Sequence, residues 1–175
     1  MRITTVATVI GLALLGTITL AQNVTYDFDR SAPFARFKTY TWVKGTPVND
    51  ALNDKRIVSA IDSQLAAKGF TRAAESGAAD VLVAYHASFD KNLQINGFSS
   101  GWGGYRFGGT RTGRATLDEV TVGTIAVDLV DASNKTIVWR GLASGELDPH
   151  AKPEKREKNI QKAAARLFKN YPPKP

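Results

Sequence analysis

Residues 123–142 carry the clearest structural signal, and they read Gly123-Thr124-Ile125-Ala126-Val127-Asp128-Leu129-Val130, then Asp131-Ala132-Ser133-Asn134-Lys135, then Thr136-Ile137-Val138-Trp139-Arg140-Gly141-Leu142. Its first and last parts are rich in β-branched and aromatic residues, which favour strands. Its middle part carries the Asp, Ser and Asn residues that favour tight turns. The pattern therefore predicts an antiparallel β-hairpin with its turn at 131–135.

Further strands are predicted on the N-terminal side of this hairpin. Val24–Asp29 alternates apolar and polar residues, the period of a half-buried strand, with the apolar side facing inward. Arg36–Val43 is rich in aromatic and β-branched residues, and Phe70–Arg72 begins a short strand. Val81–Tyr85 is apolar on both faces, which predicts a central strand that continues to about Asp90. Regular structure is expected to return at 115–130.

Two amphipathic helices are predicted from apolar residues at helical spacing. The first covers about 51–68, with Asn49 or Asp50 as its N-cap and Gly69 as its left-handed stop. The second begins near Pro153. Its apolar stripe is formed by Ile160, Ala164, Leu167, Phe168 and Tyr171.

The order of these elements predicts an α+β fold. We expect a two-layer sandwich, in which a mostly antiparallel sheet of about five to six strands carries two helices on one face. Residues 22–175 have the length of a single domain, and the chain shows no internal repeat and no interdomain linker.

Residues 1–21 read as a secretory signal peptide. Arg2 supplies a positive charge, an apolar run follows, and Thr19 and Ala21 provide the small-residue exit for cleavage before Gln22. A retained membrane anchor is the alternative, but the run is short for a span and is interrupted by threonines and glycines. The chain has no cysteine, so a lipid anchor through a thiol is not expected. The sequence thus predicts a soluble protein that is periplasmic or secreted.

The composition restricts the chemistry and the partners. Without cysteine there are no disulfides, no thiolate catalysis and no Cys-type zinc site. The formal net charge is +7, or +6 once Arg2 leaves with the signal peptide. Such a charge favours anionic envelope surfaces over nucleic acid in that compartment, although it also serves solubility alone.

A segment at about 97–114 interleaves glycines, aromatic residues and arginines without an apolar period. We read it as a loop or an irregular hairpin tip. It lacks the Gly-Lys-Ser/Thr of a phosphate-binding loop and the last glycine of a dinucleotide fingerprint. Its ring-bearing and guanidinium side chains are candidate ligand contacts, and the alternative is a tip whose aromatics pack locally. The candidates are Trp102, Tyr105, Arg106 and Phe107.

The second helix carries seven basic residues against two acidic ones. They are Lys152, Lys155, Arg156, Lys158, Lys162, Arg166 and Lys169. A basic amphipathic helix can lie on an anionic lipid or polysaccharide surface. The alternative is that its apolar stripe docks on the sheet while the lysines face solvent.

No catalytic or metal-binding pattern stands out. His86 and His150 lack ligand spacing, and no serine lies in a nucleophile elbow. We predict no catalytic residue, no metal site and no cofactor. The alternative is an envelope hydrolase whose site assembles from scattered residues such as Asp80, His86 and Asp128.

Several motifs together are similar to those of a known family. They are Tyr26-Asp27, Phe37-Lys38-Thr39-Tyr40-Thr41-Trp42, Ala79-Asp80-Val81-Leu82-Val83, and the pairing of Gly123–Asp131 with Ile137-Val138-Trp139-Arg140-Gly141. In this order they resemble the exported bacterial proteins known as domain of unknown function 4136. The resemblance implies an envelope protein, often a lipoprotein, with no established activity, and this chain departs from it in lacking the lipid-acceptor cysteine.

The sequence therefore predicts a non-enzymatic envelope protein that works as a binding or interaction module. Its expected partner is another envelope protein or an anionic envelope surface. An enzymatic role, or binding of anionic lipid or polysaccharide, stays open at this point.

Overall fold

The computed structural model of this chain describes residues 23–74, 79–97 and 115–174, so the predicted signal peptide at 1–21 lies outside the described residues. The elements follow in the order β1 (Asn23–Phe28), a 3-10 turn (Phe34–Arg36), β2 (Thr39–Trp42), α1 (Ala51–Ala67), β3 (Thr71–Arg72), β4 (Val81–Gly97), β5 (Ala115–Asp131), β6 (Ile137–Leu147) and α2 (Pro153–Leu167).

The strands form one six-stranded sheet in the order β1-β6-β5-β4-β2-β3. β4, β5 and β6 form an antiparallel meander, and β1 pairs antiparallel with β6 at one edge. β2 is parallel to both β3 and β4 because α1 forms the crossover that brings the chain back in the same direction. The expected α+β fold is confirmed, with a mixed sheet.

The predicted hairpin turn lies between β5 and β6. The Asp131 amide donates to the Thr136 carbonyl at 2.9 Å, and Lys135 adopts a positive φ of 61°. Ser133 donates its backbone N–H and its hydroxyl to the Asp131 carboxylate, and these bonds lower the pKa of that carboxyl. The Asp/Ser/Asn chemistry that predicts the turn is therefore the chemistry that holds it.

Two strands are longer than the sequence predicts. β4 was expected to end at about Asp90 but continues to Gly97, and β6 was expected to end at Leu142 but continues to Leu147. In both cases the prediction stopped where the apolar pattern stopped. Backbone pairing with β5 continues past that point, because a hydrogen-bonded ladder does not need apolar side chains.

Both helices pack on one face of the sheet. On α1, the Asp62 carboxylate accepts hydrogen bonds from the Tyr40 hydroxyl at 2.6 Å and the Trp42 indole at 2.8 Å. α2 is followed by Phe168, whose ring stacks on Trp139 of β6 with centroids 5.1 Å apart. The cross-strand register places Tyr40, Trp42 and Trp139 on the same face.

The predicted ends of α1 are confirmed. The Asp50 carboxylate accepts hydrogen bonds from the backbone N–H groups of Leu52 and Asn53, as an N-cap does. Gly69 follows the helix with a φ of +86°, a conformation that glycine adopts without steric cost. α2 begins at Pro153, also as predicted.

One end of the space between the helices and the sheet is filled with rings. We call this region the aromatic end, and it consists of Phe34, Phe70, Trp139, Phe168 and Tyr171. Tyr171 contacts the rings of the other four, with centroids 5.6 to 6.1 Å apart. Trp139 and Phe168 are almost completely buried. Each such side chain contributes about 1.5–3 kcal/mol of burial free energy, so this end anchors the two layers.

Candidate ligand-binding cleft

The opposite end of the same interlayer space is open. A cleft of about 430 Å³ lies between α1, α2, the middle parts of β4 and β5, and the C-terminal end of β6. Its volume falls within the range of about 300–1,000 Å³ that is typical of small-molecule sites. The lining is mostly apolar and includes Val48, Ile57, Ala87, Phe89, Ile125, Leu147 and Ile160.

The cleft exists because small residues occupy its inward positions. Gly123 of β5 pairs with Gly145 of β6, and Ile125 pairs with Ala143. On the helical side, Ala163 faces this floor. Glycine and alanine leave space where the aromatic end has rings, so helices and sheet do not close on each other here.

The cleft continues inward as a narrow apolar cavity. A void of about 10 Å³ shares Ile57, Ile125 and Ala163 with the cleft and is closed by Val127 and Leu167. From Thr121 at the mouth to Val127, the lining follows six residue steps of β5, or roughly 20 Å at the rise of a strand. The residues that line the cleft and the adjoining void therefore follow the strand.

The α1 side of the cleft is fixed by polar bonds to the sheet. The Tyr85 hydroxyl donates to the Asp54 carboxylate and accepts from the Val48 amide. Burial, followed by the bond to Asp54, raises the pKa of Tyr85 to about 12. The hydroxyl therefore stays protonated at neutral pH and holds the start of α1 against β4.

The α2 side of the cleft contains an oriented guanidinium. The Arg156 Nε donates to the Ala151 carbonyl at 3.0 Å, and its Nη2 donates to the Pro149 carbonyl at 2.9 Å. Both carbonyls belong to the loop that joins β6 to α2. These bonds fix the half-buried side chain in place, and they leave its positive charge unneutralised because carbonyls carry no net charge.

The other two charged residues of the lining are Asp148 and Glu146. Asp148 forms an ion pair with Lys155 at 2.9 Å, and the hydrogen bond from that lysine lowers the pKa of the carboxyl. Glu146 lies one residue from Gly145, so its side chain points to the other face of the sheet and its backbone lines the cleft. Across residues 23–74, 79–97 and 115–174, Arg156 has no ion-pair partner.

The ligand-contact residues predicted from the sequence lie outside the described residues. Trp102, Tyr105, Arg106 and Phe107 belong to the segment 98–114. That segment joins β4 to β5, whose ends pair at Gly97 and Ala115.

The fold brings two of the three hydrolase candidates, His86 and Asp128, together and separates Asp80 from them. His86 of β4 and Asp128 of β5 are diagonal neighbours on one face of the sheet, with His86 Nε2 3.7 Å from the Asp128 carboxylate. Asp80 lies at the start of β4, six residues from His86, and accepts hydrogen bonds from the Lys38 and Thr39 amides, which lower its pKa. At the rise of a strand that separation is roughly 20 Å.

His86 and Asp128 lie on the sheet face opposite the helices and the cleft. There Arg140 of β6 makes a two-point contact with Asp128, at 2.6 and 2.7 Å. The other ring nitrogen of His86 lies 3.0 Å from the Thr46 hydroxyl. The arrangement neutralises the Asp128 carboxylate, and neither His86 nor Asp128 is among the residues that line the cleft.

Sequence reasoning missed both the Asp128–Arg140 pair and the cleft. The signal for the pair was present, because the two residues carry opposite charges and face each other across the predicted hairpin. The signal for the cleft was the presence of Gly and Ala at the inward positions 123, 143 and 145. Such residues show that space is left, but only the packed helices show where that space opens.

The basic residues of α2 lie mainly on its solvent side. Lys152, Lys155, Lys158, Lys162 and Lys169 are exposed, whereas Arg156 lines the cleft. Within the described part of the chain, no group of three or more His, Cys, Asp or Glu residues could hold a metal ion. Among the same residues, no helix has both the length and the hydropathy needed to cross a membrane.

A family model matches residues 24–173, which is nearly the whole described fold. The chain belongs to the family described as domain of unknown function DUF4136. The predicted resemblance is therefore confirmed. No curated protein matches this DUF4136 chain.

Solved structures are similar to this DUF4136 chain at low sequence identity. A PDZ domain protein from Parabacteroides distasonis is 17% identical with a TM-score of 0.55, and the match covers 88% of this chain but only 37% of that protein. The PelC dodecamer from Paraburkholderia phytofirmans is 14% identical with a TM-score of 0.52, covering 85% and 96% respectively. Lipoprotein GNA1162 from Neisseria meningitidis is 12% identical with a TM-score of 0.45, covering 76% and 99%.

Proposed function

We propose that this DUF4136 chain is a non-enzymatic binding module of the bacterial cell envelope and that it holds an apolar ligand in the cleft between its helices and its sheet. The observation that carries the proposal is the cleft itself, with its volume of about 430 Å³ and its apolar lining. A largely apolar pocket with a few oriented polar groups is the usual form of a small-molecule site.

The exposed residues at the mouth support an open and accessible site. Phe89 and Leu147 lie there with 56% and 41% of their surface exposed. Large apolar side chains that face solvent beside a cavity favour an apolar ligand, because the ligand covers them as it enters.

The proposed location rests on the sequence. Residues 1–21 have the charged start, apolar middle and small-residue exit of a signal peptide, with cleavage before Gln22. With no cysteine available for a lipid, the mature protein is released in soluble form. The proposal also includes Trp102, Tyr105, Arg106 and Phe107 as a second contact surface, for another envelope protein or an anionic envelope surface.

The cleft is tested by titration with the apolar fluorescent probe 1-anilinonaphthalene-8-sulfonate. We expect one saturable site in the exported full chain. Ala163→Phe places a ring in the cleft and should weaken binding at least about tenfold, while Ala165→Phe adds the same ring on the exposed side of α2 and should leave binding unchanged. Equal binding by the two variants would contradict the proposal.

The location is tested separately by cell fractionation and mass spectrometry of the intact protein. We expect the chain in the soluble periplasmic or secreted fraction with Gln22 at its N-terminus. Recovery in the membrane fraction with residues 1–21 still attached would contradict that part of the proposal.

A further inference from the structure

We infer that the cleft binds a molecule with a single long alkyl chain and an anionic head group, and that Arg156 holds the head. This inference rests on the proposed function and names the class of ligand. It joins two observations, the apolar space that follows β5 and the oriented guanidinium at its side.

The shape of the space favours one linear chain. The cleft and the adjoining void are lined by residues of β5 from Thr121 to Val127, which span roughly 20 Å along the strand. The inner part, between Val127 and Leu167, is lined only by apolar side chains and holds just about 10 Å³ of space. A cavity of that kind excludes water and admits at most the tip of a slender apolar group.

The charge in the lining favours an anion at the head of that chain. Arg156 is fixed by two backbone carbonyls and has no ion-pair partner among the described residues. A guanidinium has five N–H donors, and these two bonds use only two of them. The remaining donors are available to a carboxylate or a phosphate, which guanidinium groups bind with two parallel hydrogen bonds.

The neighbouring charges do not remove this preference. Asp148 is neutralised by Lys155, and the Glu146 side chain extends from the opposite face of the sheet. Asn53 and Asn159 add polar groups to the two helical walls near the cleft. A cation in the same position would face Arg156 at short range and be repelled.

The test compares ligands that share a chain and differ in head charge. The exported full chain is titrated calorimetrically with oleate, oleyl alcohol and oleylamine, each below its aggregation concentration. We expect oleate to bind with one-to-one stoichiometry and about ten- to a hundredfold more tightly than the alcohol, the range of a charge-assisted hydrogen bond. Oleylamine should bind more weakly than the alcohol.

Three variants assign the preference to Arg156. Arg156→Gln should abolish the preference for oleate over oleyl alcohol, whereas Arg156→Lys keeps the charge and should retain most of it. Lys158→Gln removes an exposed charge from the same helix and should leave the preference intact, which controls for net charge. Adding oleoyl-lysophosphatidylglycerol as a fourth ligand distinguishes a phosphate head from a carboxylate, and tight one-to-one binding of either anion supports the inference.

Two results would overturn the inference. One is that neither oleate nor oleoyl-lysophosphatidylglycerol binds the wild-type chain more tightly than oleyl alcohol does. The other is a preference for oleate that survives Arg156→Gln. Suppose that Ala163→Phe weakens the binding of 1-anilinonaphthalene-8-sulfonate but no preference for anions is found. The proposal that the cleft binds a ligand is then supported, and only the inference about the ligand's head group is rejected. If that response is also missing, the proposed function fails with it.

Discussion

The two ends of the space between the helices and the sheet differ in the size of the side chains that occupy them. At the aromatic end, Trp139 and Phe168 stack and are almost completely buried. At the cleft, the corresponding floor positions are Gly123, Ala143 and Gly145, and the space stays open. Both ends lie between the same sheet and the same two helices, and the large rings at one end and the small residues at the other distinguish the packed end from the open one.

Loss of a ring at the aromatic end should lower the stability of the protein more than any change at the cleft. Trp139→Ala should lower the free energy of unfolding by about 3–5 kcal/mol, because it leaves a cavity under α2. Phe89→Ala removes a ring at the exposed mouth and should change it by about 0.5 kcal/mol or less. Urea denaturation of both variants measures the difference, and equal losses would contradict the contrast between the two ends.

A smaller effect is expected from adding a methyl group at each end. At Gly141 a Cβ would overlap the Trp139 indole and lie 2.9 Å from Leu167 Cδ1, so Gly141→Ala should cost about 1–3 kcal/mol. At Gly123 a Cβ would lie 2.8 Å from Leu147 Cδ1, an exposed side chain that can rotate away. Gly123→Ala should therefore shift the unfolding free energy by about 0.5 kcal/mol or less. A reversed order in thermal unfolding would show that the cleft is as tightly packed as the aromatic end.

The smallest effect concerns the Tyr171 hydroxyl. It is buried and has no hydrogen-bond partner among the described residues, and burial raises the pKa of the group. Tyr171→Phe removes this unsatisfied hydroxyl, so we expect the unfolding free energy to stay level or rise by up to about 1 kcal/mol at pH 7.

The same variant has an expected pH dependence. A pKa that is raised in the folded state gives stability that is present below the unfolded value of about 10 and is lost as pH rises above it. Wild-type stability should therefore fall between pH 10 and 12, and Tyr171→Phe should fall less steeply. The stability of Tyr171→Phe should still fall somewhat with rising pH, because the pKa values of Tyr40 and Tyr85 are also raised in the folded protein. Identical slopes in urea denaturation at these pH values would contradict this reading.

Much of the fold followed from local signals in the sequence. Each of four features depends on residues at or next to the feature itself. They are the hairpin turn at 131–135, the N-cap of α1 at Asp50, the end of α1 before Gly69, and the beginning of α2 at Pro153. The lengths of β4 and β6 could not be predicted from the sequence. Both strands continue by backbone pairing with β5 through residues that show no apolar periodicity.

The cleft could not be found from the sequence for a related reason. Gly123, Gly145 and Ala163 are far apart along the chain, and each is unremarkable alone. The sequence also does not show that Arg156, one of seven basic residues in the second helix and its flanks, lines the cleft while most of the others face solvent. Only the packing of α2 against the sheet shows that Arg156 lies beside the cleft while most of the other basic residues face solvent.

We expect the open end of the interlayer space, and not the aromatic end, to receive the alkyl chain. Amide chemical-shift mapping of the ¹⁵N-labelled chain during titration with oleate tests this most directly. We expect saturable shifts at Gly123, Ala143 and Ala163, with the indole N–H of Trp139 unchanged. Shifts centred on Trp139 and Phe168, or no saturable shift at the cleft, would contradict the claim.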